Sequence, residues 1–464
     1  MTAPIKVSAV LESVIAPTKR SSARRPSNAF ATAGPEHTVR VALAGCGVVG
    51  SAFLQLLHRS APQIASQHGV RFEVVRVLVR DPLRDRGVPV ASSLFTNDLN
   101  SFLATDADVV IEAIGGEDPA SSIARSALAR GARLITANKQ LIASVGAHLN
   151  DLADFTGGAL DFEAAVGGGA PVVRTVRESL GCGRPVSVRG ILNGTSNYVL
   201  TLIEHGRSYE EAIAIARRLG LCEADPCRDM DGRDAAAKLA ILAWLTFGLD
   251  PATLNVRRRG LPTDPTRLIR HAAELGGKVR LIAECVTTED GAVLASVEPT
   301  VVSADCAFGR TEFEENRVEI DLDWGRPIAV SGPGAGGRPT AASLLSDLLG
   351  ERSALPALTN RRRERAEAHV VVEDARPHVW LIVANATPEL LGEVGRVVRT
   401  ETTSHDIVQT SVLTPPISES ELETALKRVA IGDADVAIAR VEHPPESICS
   451  HSRAGGNPHL RALP

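Results

Sequence analysis

The chain has 464 residues, which is enough for about three domains of ordinary size, each with its own core. Its charged fraction of 23 %, apolar fraction of 44 % and formal net charge of −5 are ordinary for a soluble globular protein. No basic field that would attract nucleic acid is present, so we expect no nucleic-acid partner. Lysine is rare, since only six of the 50 basic residues are lysine. Each lysine is therefore of interest.

The composition also bears on targeting and location. The longest apolar run, residues 239–249, is about half of a membrane span, so we expect no transmembrane helix and no membrane partner. Residues 1–36 are rich in Ser, Ala, Pro and Arg without a continuous apolar stretch, which predicts a disordered leader rather than a secretory signal. The seven cysteines form no CxxC pair, which favours reduced thiols in a cytoplasmic protein without a zinc site.

The first predicted unit is a strand, a glycine-rich turn and a helix. Residues 39–44 (VRVALA) predict the strand and residues 51–57 the helix, with GCGVVG between them. Glycines at this point allow a tight turn and the approach of a pyrophosphate to the helix N-terminus. A plain turn without a ligand is the alternative. The predicted cofactor-binding residues of the turn are Gly45, Gly47, Val48, Val49 and Gly50.

The end of the second predicted strand bears on the choice of cofactor. Residues 71–80 (RFEVVRVLVR) predict this strand, and Arg80 stands at its end, followed by Asp81 and Arg84. An arginine there suits the 2′-phosphate of NADP, so NADP is favoured, while Asp81 keeps NAD possible. A solvated loop is the alternative.

Further alternation of strands and helices predicts an α/β fold with a parallel, doubly wound sheet, a Rossmann-type nucleotide-binding domain over residues 37–155. Its later strands are predicted over 108–114 (DVVIEAI) and 132–136, with a helix over 119–130 between them. Ligands of such sheets bind beyond the carboxyl ends of the strands. The predicted cofactor-binding residues at these ends are Gly115, Thr136 and Lys139.

The central region, residues 156–338, predicts an α+β domain. A predicted strand leads into Asn193-Gly194-Thr195, a turn before a helix. Residues 208–219 predict an amphipathic helix that begins with a capping box made by Ser208 and Glu211. We expect the catalytic and substrate-binding groups in this region, because the acidic stretch lies here.

The densest group of ionisable residues follows that helix. Five acidic side chains fall within residues 223–234, just before a strongly apolar helix over 235–247. Asp234 and Lys238 are four residues apart and share one helix face, so the carboxylate can hold the ammonium and set its pKa. The alternative is a solvated acidic loop with a surface ion pair, which stabilises by under about 1 kcal/mol.

The C-terminal part predicts a third, small domain. A helix over 339–350 is expected to pack back onto the nucleotide-binding domain, followed by a polar linker over 351–377. Residues 378–442 predict a βαββαβ-like domain of a regulatory type, and residues 443–464 a disordered tail. The predicted elements of that domain are strand 379–384, helix 388–399, strand 406–413, helix 418–430 and strand 434–441.

Several stretches together resemble one family, the homoserine dehydrogenases. The longest match runs from Ala216 to Lys238, with Cys222 where the family has a small residue such as Ala, Ser, Thr or Gly. Six matches in the family's order span residues 39–350, which is far more specific than any one motif. The other matching stretches are GCGVVG (45–50), TANK (136–139), EAAVGGGAP (163–171), GILNGTSNY (190–198) and GPGAGGRPTA (332–341).

The resemblance implies reversible, NAD(P)-dependent interconversion of L-homoserine and L-aspartate 4-semialdehyde, a step in threonine, methionine and isoleucine biosynthesis. Lys238 resembles the proton donor and acceptor at the substrate oxygen, with Asp234 orienting it. Lys139 resembles the second catalytic lysine, which lies between the nicotinamide and the substrate.

The resemblance also implies the binding groups. Glu223 resembles the residue that binds the substrate amino group, Asp229 lies in the same acidic cluster, and Gly334 would close over the cofactor. The family carries a monovalent cation, sodium or potassium, held mostly by main-chain oxygens. A glycine turn without a metal is the alternative. The matching positions for the cation are Glu163, Val166, Gly168 and Ala170.

The assembly and regulation follow from the same resemblance. It implies a homodimer through the central domain, or a homotetramer. Residues 378–442 resemble a degenerate ACT module, which in many such enzymes binds an amino-acid effector, commonly threonine. The turn after its first strand reads Thr387-Pro388-Glu389 where the family has Pro-Gly. Because the resemblance starts at residue 39, we expect no fused aspartate kinase.

Two other functions remain open. A catalytically silent amino-acid sensor of the same fold would have lost the catalytic groups, but Lys139, Lys238, Asp234 and Glu223 are all present. A Rossmann dehydrogenase for another small amino aldehyde would have the same cofactor turn. The acidic stretch suits a substrate ammonium and argues against a simple hydroxy acid.

Overall fold

The computed structural model of the chain describes residues 37–180, 183–221, 227–289, 291–350, 374–402, 408–429 and 436–442. The predicted leader, the predicted tail and most of the predicted linker lie outside these residues. Within them, no helix combines the length and the apolar character needed to cross a membrane.

Among the described residues, six parallel strands form the first sheet. They are β1 (His37–Ala44), β2 (Val70–Leu78), β3 (Phe95–Thr96), β4 (Val109–Glu112), β5 (Arg133–Thr136) and β6 (Ala159–Asp161). Their order is β3-β2-β1-β4-β5-β6, so the winding direction reverses between β1 and β4. The predicted α/β, Rossmann-type fold is confirmed.

Helices connect these parallel strands. They are α1 (Val48–His68), α2 (Leu99–Leu103), α3 (Ala120–Ala129) and α4 (Lys139–Thr156), with a short 3-10 helix at Ser92–Leu94. Helix α1 continues well past its predicted end at residue 57. It does so because its apolar face stays buried as far as Ile64, and Gly69 then ends it in the left-handed conformation.

The second sheet contains ten strands of the described residues. They are β7 (Pro185–Ile191), β8 (Arg257–Arg258), β9 (Gly277–Thr287), β10 (Val293–Ser303), β11 (Glu315–Leu322), β12 (Ile328–Pro333), β13 (Val379–Ala384), β14 (Arg396–Thr402), β15 (Val408–Leu413) and β16 (Val436–Val441). Their order is β12-β11-β7-β9-β10-β16-β13-β15-β14, with β8 beside β10. One sheet therefore joins strands of the central region and of the C-terminal segment.

The helices between β6 and β13 complete the central region. They are α5 (Glu163–Val166), α6 (Val172–Ser179), α7 (Gly194–Glu204), α8 (Tyr209–Arg218), α9 (Cys227–Met230), α10 (Arg233–Phe247), α11 (Thr266–Ala273) and α12 (Gly337–Leu349). The predicted capping box of α8 is present, since Ser208 and Glu211 each accept the other's backbone N–H. The buried helix α10 contacts α4 on one side and β7 and β9 on the other, so it links the two sheets.

Helix α12 returns to the first sheet. Leu344 and Leu348 belong to the same buried cluster as Phe53 of α1. A Cβ on Gly337 would lie 2.6 Å from Cγ1 of Val48, so glycine lets the two helices begin close together. The loop before α12 is thereby brought beside the start of α1.

The C-terminal strands enclose α13 (Pro388–Gly392) and α14 (Glu419–Arg428) in the order βαββαβ. The predicted helix over 388–399 is wrong in its second half. The helix ends at Gly392, and residues 396–402 form β14 beside β15. The β-branched residues in RVVRTET favour the strand.

Strand β16 attaches this segment to the central region. It lies parallel to β10, with Val301 opposite Val441. Both valines belong to a buried cluster that includes Leu200 of α7 and Leu268 of α11. The C-terminal segment therefore shares a sheet with β10 and a core with α7, whose start lies in the site described next.

Candidate functional site

The glycine turn between β1 and α1 has the geometry of a pyrophosphate-binding turn. Gly45 has a φ of +96°, and a Cβ on Gly50 would overlap the carbonyl oxygen of Gly45. A Cβ on Gly47 would meet nothing within 4 Å. Val48 and Val49 form the first turn of α1, and Val48 is exposed. The space beside Gly47, at a helix start, fits the pyrophosphate of a dinucleotide.

Arg80, the predicted 2′-phosphate residue, lies exposed two residues beyond the end of β2. Its neighbours bond within their own loop. Oδ1 of Asp81 accepts from Leu83 N, and the Arg86 guanidinium donates to the carbonyl oxygens of Asp81 and Arg84. Arg80 has no such bond among the described residues, so its guanidinium faces solvent.

A buried glutamate that the sequence reasoning missed organises the neighbouring strand ends. Glu112, the last residue of β4, is 0 % exposed, and its Oε1 accepts from Ile114 N at 2.8 Å and Gly115 N at 3.1 Å. Its Oε2 accepts from Thr136 Oγ1 at 2.6 Å. The predicted residues Gly115 and Thr136 thus meet at the carboxyl edge of the sheet. A lone acid in the apolar strand DVVIEAI is the signal that could have revealed this residue.

Lys139 begins α4, and the preceding residue fixes that helix start. Oδ1 of Asn138 accepts from Leu141 N at 3.1 Å, while its Nδ2 donates to Gly116 O at 2.6 Å. The backbone N–H of Asn138 donates to Thr136 Oγ1 at 3.0 Å. Lys139 therefore projects from a helix start that is tied to both strand-end loops.

The second part of the site comes from α7 and α10. Asn193 caps α7, since its Oδ1 accepts from Ser196 N at 2.7 Å. Its Nδ2 donates to Asp229 Oδ1 at 2.8 Å and to Asp234 Oδ2 at 2.9 Å. One amide thus holds two carboxylates of the acidic stretch. The sequence reasoning included Asn193 in a motif but missed this role, which only the packing of α7 against α10 creates.

The two predicted catalytic lysines meet at Asp234. Lys238 Nζ lies 2.9 Å from its Oδ2, and Lys139 Nζ lies 2.7 Å from its Oδ1. Lys238 Nζ also donates to Leu192 O at 2.8 Å. The Lys238 side chain is 10 % exposed and that of Lys139 is 38 % exposed. Lys238 is thus the more buried of the two lysines, and Lys139 is the more accessible to solvent.

The two carboxylates of this group ionise differently. Burial opposes the charge on Asp234, but the charges and hydrogen bonds of Lys238 and Lys139 outweigh it and hold the pKa of Asp234 below its ordinary value. Burial raises the pKa of Asp229, although its hydrogen bond from Asn193 opposes the rise. Asp234 is therefore an anion between two ammonium groups at neutral pH.

The carboxylate of Glu163, the first predicted cation-binding residue, binds the start of α6. That carboxylate accepts from Val173 N and Arg174 N, both at 2.8 Å, and so caps α6. Burial raises its pKa. The N–H of Glu163 donates to Oδ2 of Asp347 at 3.0 Å. Burial, together with the charges of Asp161 and Glu163, raises the pKa of Asp347 to about 7.

Val166, the second predicted cation-binding residue, is the last residue of α5. The remaining two, Gly168 and Ala170, lie in the loop that follows. Gly168 O accepts from Ser343 Oγ at 2.6 Å, and Ala170 O accepts from Val172 N at 2.8 Å. A carbonyl oxygen can accept twice, so each keeps a lone pair that suits a monovalent cation. No cluster of three or more His, Cys, Asp or Glu side chains in the described ranges could hold a metal. Main-chain oxygens are the ligands this loop offers.

The loop before α12 reaches the floor of the site. A Cβ on Gly334 would overlap the side chain of Asn316. Nδ2 of Asn316 lies 3.5 Å from Leu192 O, the same oxygen that accepts from Lys238. Gly334 N donates to Glu314 O at 2.9 Å, which fixes the loop there. A larger residue at 334 would therefore have to displace the amide of Asn316.

Most of the predicted catalytic and substrate residues form one hydrogen-bonded group through Asp234 and Asn193. Arg80 contacts none of its members and marks a separate point along the sheet edge. Glu223 lies outside the described residues. The members of the group predicted from the sequence are Lys139, Asp229, Asp234 and Lys238.

Known proteins match the chain over both parts of this site. The family model described as "Homoserine dehydrogenase, NAD binding domain" matches residues 45–163, and the model described as "Homoserine dehydrogenase" matches residues 171–349. The homoserine dehydrogenase of Mycobacterium tuberculosis is 36 % identical over 322 residues, covering 68 % of this chain and 73 % of that one. The Bacillus subtilis enzyme is 35 % identical over 314 residues, covering 67 % and 72 %.

Solved structures have the same architecture. A homoserine dehydrogenase from Thiobacillus denitrificans superposes with a TM-score of 0.73 at 28 % identity, covering 88 % of this chain and 99 % of that one. The S. aureus homoserine dehydrogenase solved at pH 7.5 has a TM-score of 0.66 at 30 % identity, with the same coverage.

The nucleotide turn and the buried Lys238, in a chain that an NAD-binding domain model matches, define an NAD(P)-binding oxidoreductase. The motifs, the family models and the two relatives agree on which one. The chain belongs to the homoserine dehydrogenase family, and homoserine dehydrogenase activity is its function.

Proposed function

We propose that the enzyme interconverts L-homoserine and L-aspartate 4-semialdehyde, with Lys238 as the proton donor and acceptor at the substrate oxygen. One observation carries this role. Two of the three N–H groups of Lys238 are directed to Asp234 and to Leu192 O, which fixes the ammonium and orients its third N–H. Lysine, unlike arginine, can release and regain a proton in such a setting.

Lys139 is the proposed second catalytic lysine, and Asp229 and Glu223 are proposed to bind the substrate ammonium. The greater exposure of Lys139 supports contact with a ligand that enters from the cleft. Both oxygens of Asp234 contact the lysines, which leaves Asp229 as the nearby described carboxylate that can meet a cationic group of the substrate. Asn193 holds Asp229 in place for this.

The proposed cofactor is NADP, which when bound donates or accepts the hydride. The solvent-facing Arg80 supports NADP over NAD because a guanidinium recognises a phosphate. We expect Arg80→Ala to raise the KM for NADPH about tenfold, as for a lost bond to a charged group, and to leave the KM for NADH unchanged. Equal changes for both cofactors would contradict this role.

We propose that the main-chain oxygens of Glu163, Val166, Gly168 and Ala170 hold a monovalent cation. Gly169 N of this loop donates to the carbonyl oxygen of Pro333 at 2.9 Å, at the end of β12 where the loop before α12 begins. An ion bound there would stiffen both loops, so sodium or potassium should raise the melting temperature more than choline at equal ionic strength.

Further proposals concern domains, assembly and location. Residues 37–155 bind the cofactor, and residues 156–338 carry the substrate site and form a homodimer, or a homotetramer. Residues 378–442 form an ACT-like module for an effector such as threonine.

The assembly is tested by light scattering, in which a monomeric mass would contradict the proposed dimer. Free cysteines among the described residues, Cys46, Cys285 and Cys306, support a cytoplasmic enzyme.

One assay separates the candidate functions. Oxidation of NADPH is followed with aspartate semialdehyde for the wild type, Lys238→Ala and Lys278→Ala. Lys278 pairs with Glu312 away from Asp234 and is the matched lysine control. We expect wild-type turnover, a loss of about 100-fold or more in kcat for Lys238→Ala, and little change for Lys278→Ala. A silent sensor would give no wild-type turnover, and a different dehydrogenase would prefer another amino aldehyde.

A further inference from the structure

Glu112 is a buried acid for which the reaction gives no direct use. It lies at the end of the central strand β4, fully buried, and makes no ion pair with any described residue. Three hydrogen bonds satisfy its carboxylate, two from the backbone N–H groups of Ile114 and Gly115 and one from Thr136 Oγ1. Burying a carboxylate without a cationic partner costs folding free energy unless hydrogen bonds compensate for the lost water.

These bonds reach two loops that flank the cofactor cleft. The backbone N–H groups belong to the loop after β4, which includes Gly115 and Gly116, both with positive φ. Thr136 ends β5, and its hydroxyl accepts from Asn138 N while it donates to Glu112. The Glu112 carboxylate is thus a buried side-chain connection between the ends of β4 and β5, in addition to the backbone bond from Ala137 N to Glu112 O.

The connection continues to a lysine of the site. Asn138 caps α4 and also donates to Gly116 O, so the start of α4 is held by the same pair of loops. Lys139 is the first residue of α4, and its Nζ lies 2.7 Å from Asp234 Oδ1. The chain of bonds therefore runs from Glu112 to the ammonium of Lys139.

We propose that Glu112 is a positioning residue, whose carboxylate sets the cofactor loop after β4 and the start of α4 in a fixed relation, so that the cofactor and Lys139 are held together. The inference rests on the proposed roles of this edge and of Lys139. This positioning role requires both carboxylate oxygens of Glu112 to accept hydrogen bonds. Glutamine fills the same space, but its amide nitrogen cannot accept the hydroxyl proton of Thr136, so the bond from Thr136 Oγ1 is lost as it stands.

The test is a double-mutant cycle of Glu112→Gln and Thr136→Val. We expect each variant to raise the dissociation constant and the KM of NADPH about tenfold, the range for a lost bond to a charged group. We expect the double variant to be no worse than either single variant, because both remove the same connection. Effects that multiply would overturn the proposal.

Simple destabilisation is distinguished by a control and a second readout. Glu298→Gln changes an equally buried glutamate of the second sheet, which pairs with Arg440. We expect it to lower the melting temperature and to leave the NADPH dissociation constant within about twofold, since partial unfolding removes active enzyme without changing its affinity. If Glu112→Gln behaves like this control, the proposal is wrong.

Thr136→Val and a substrate-free binding assay serve as safeguards of this experiment. Should Glu112→Gln not fold, Thr136→Val alone carries the test, and an unchanged NADPH dissociation constant in that variant refutes the inference. Fluorescence titration of NADPH needs no substrate. Absence of wild-type turnover with aspartate semialdehyde would therefore overturn the proposed reaction without affecting this result.

Discussion

Nδ2 of Asn193, at the start of α7, lies 2.9 Å from Oδ2 of Asp234, at the start of α10. The same nitrogen donates to Asp229, and Oδ1 of Asn193 caps its own helix. Both N–H donors of one amide, and one acceptor site of its oxygen, are thus used where the two helices meet. This residue couples the start of α7 to the lysine-bearing helix.

Substitutions of Asn193 should separate capping from the orientation of the carboxylates. Asparagine and aspartate both cap helices, whereas alanine loses about 1 kcal/mol of capping free energy. Asn193→Asp, however, places a third carboxylate beside Asp229 and Asp234. We therefore expect Asn193→Asp to have a lower kcat than Asn193→Ala, although only the aspartate keeps the helix cap. Better activity for the aspartate variant would show that Asn193 serves only as a cap.

Replacement of Asp234 should abolish the lysine geometry. An asparagine there has one acceptor for two ammonium groups, so one lysine loses its partner. We expect Asp234→Asn to lower kcat about 100-fold or more, the scale of acid–base catalysis.

Asp231→Asn is the matched control for Asp234, because Asp231 lies in the same acidic stretch but pairs with Arg233. Equal losses of kcat in the two variants would mean that the overall negative charge matters rather than the Lys139–Asp234–Lys238 contacts. The lowered pKa of Asp234 keeps it ionised throughout any assay above pH 4, so the wild-type pH profile should contain no step from this group in that range.

Alanine substitutions of two glycines in the turn should affect different properties, one the stability and the other the binding of NADPH. An alanine at 50 would collide with Gly45 O, so we expect Gly50→Ala to lose about 1 to 3 kcal/mol of stability in urea unfolding. An alanine at 47 meets no protein atom within 4 Å. Gly47→Ala should therefore keep its stability and bind NADPH more weakly. Unchanged binding would exclude a pyrophosphate at this turn.

Asp347 predicts a pH dependence of stability. Its pKa of about 7 lies above the ordinary value of 3.8. Between these values the folded state holds a proton that the unfolded state has released. The free energy of unfolding therefore falls as the pH rises towards 7, and levels off above it. We expect Asp347→Asn to gain stability relative to the wild type, by a few kcal/mol, between about pH 5 and pH 8. The free energies of unfolding in urea are measured for both proteins at several pH values. A difference between them that does not change with pH would contradict this prediction.

Local features of the site were readable from the sequence. The turn after β1, the capping box at Ser208 and the Asp234–Lys238 pair are all set within a few residues, by glycine geometry, capping and helical periodicity. The homoserine dehydrogenase motifs then indicated Lys139 as a second catalytic lysine, and its contact with Asp234 came from the structure. The local features required no knowledge of tertiary packing.

Features that depend on distant contacts were not readable. The bond from Asn193 to Asp234 joins residues 41 positions apart, and that from Glu112 to Thr136 joins strand ends through their register. The strand at 396–402 was missed because a short amphipathic stretch fits either period, and pairing with β15 decides it. Tertiary context selects these outcomes.

The pairing of β16 with β10 has a thermodynamic consequence. Because Val441 and Leu200 lie in one core, the C-terminal segment and α7 should unfold cooperatively in a single transition. Removing the segment would expose an unpaired strand edge on β10 and invite aggregation. Conversely, a molecule that binds the C-terminal segment only when it is folded would stabilise the whole unit, including the helix start at which Asn193 holds its two carboxylates.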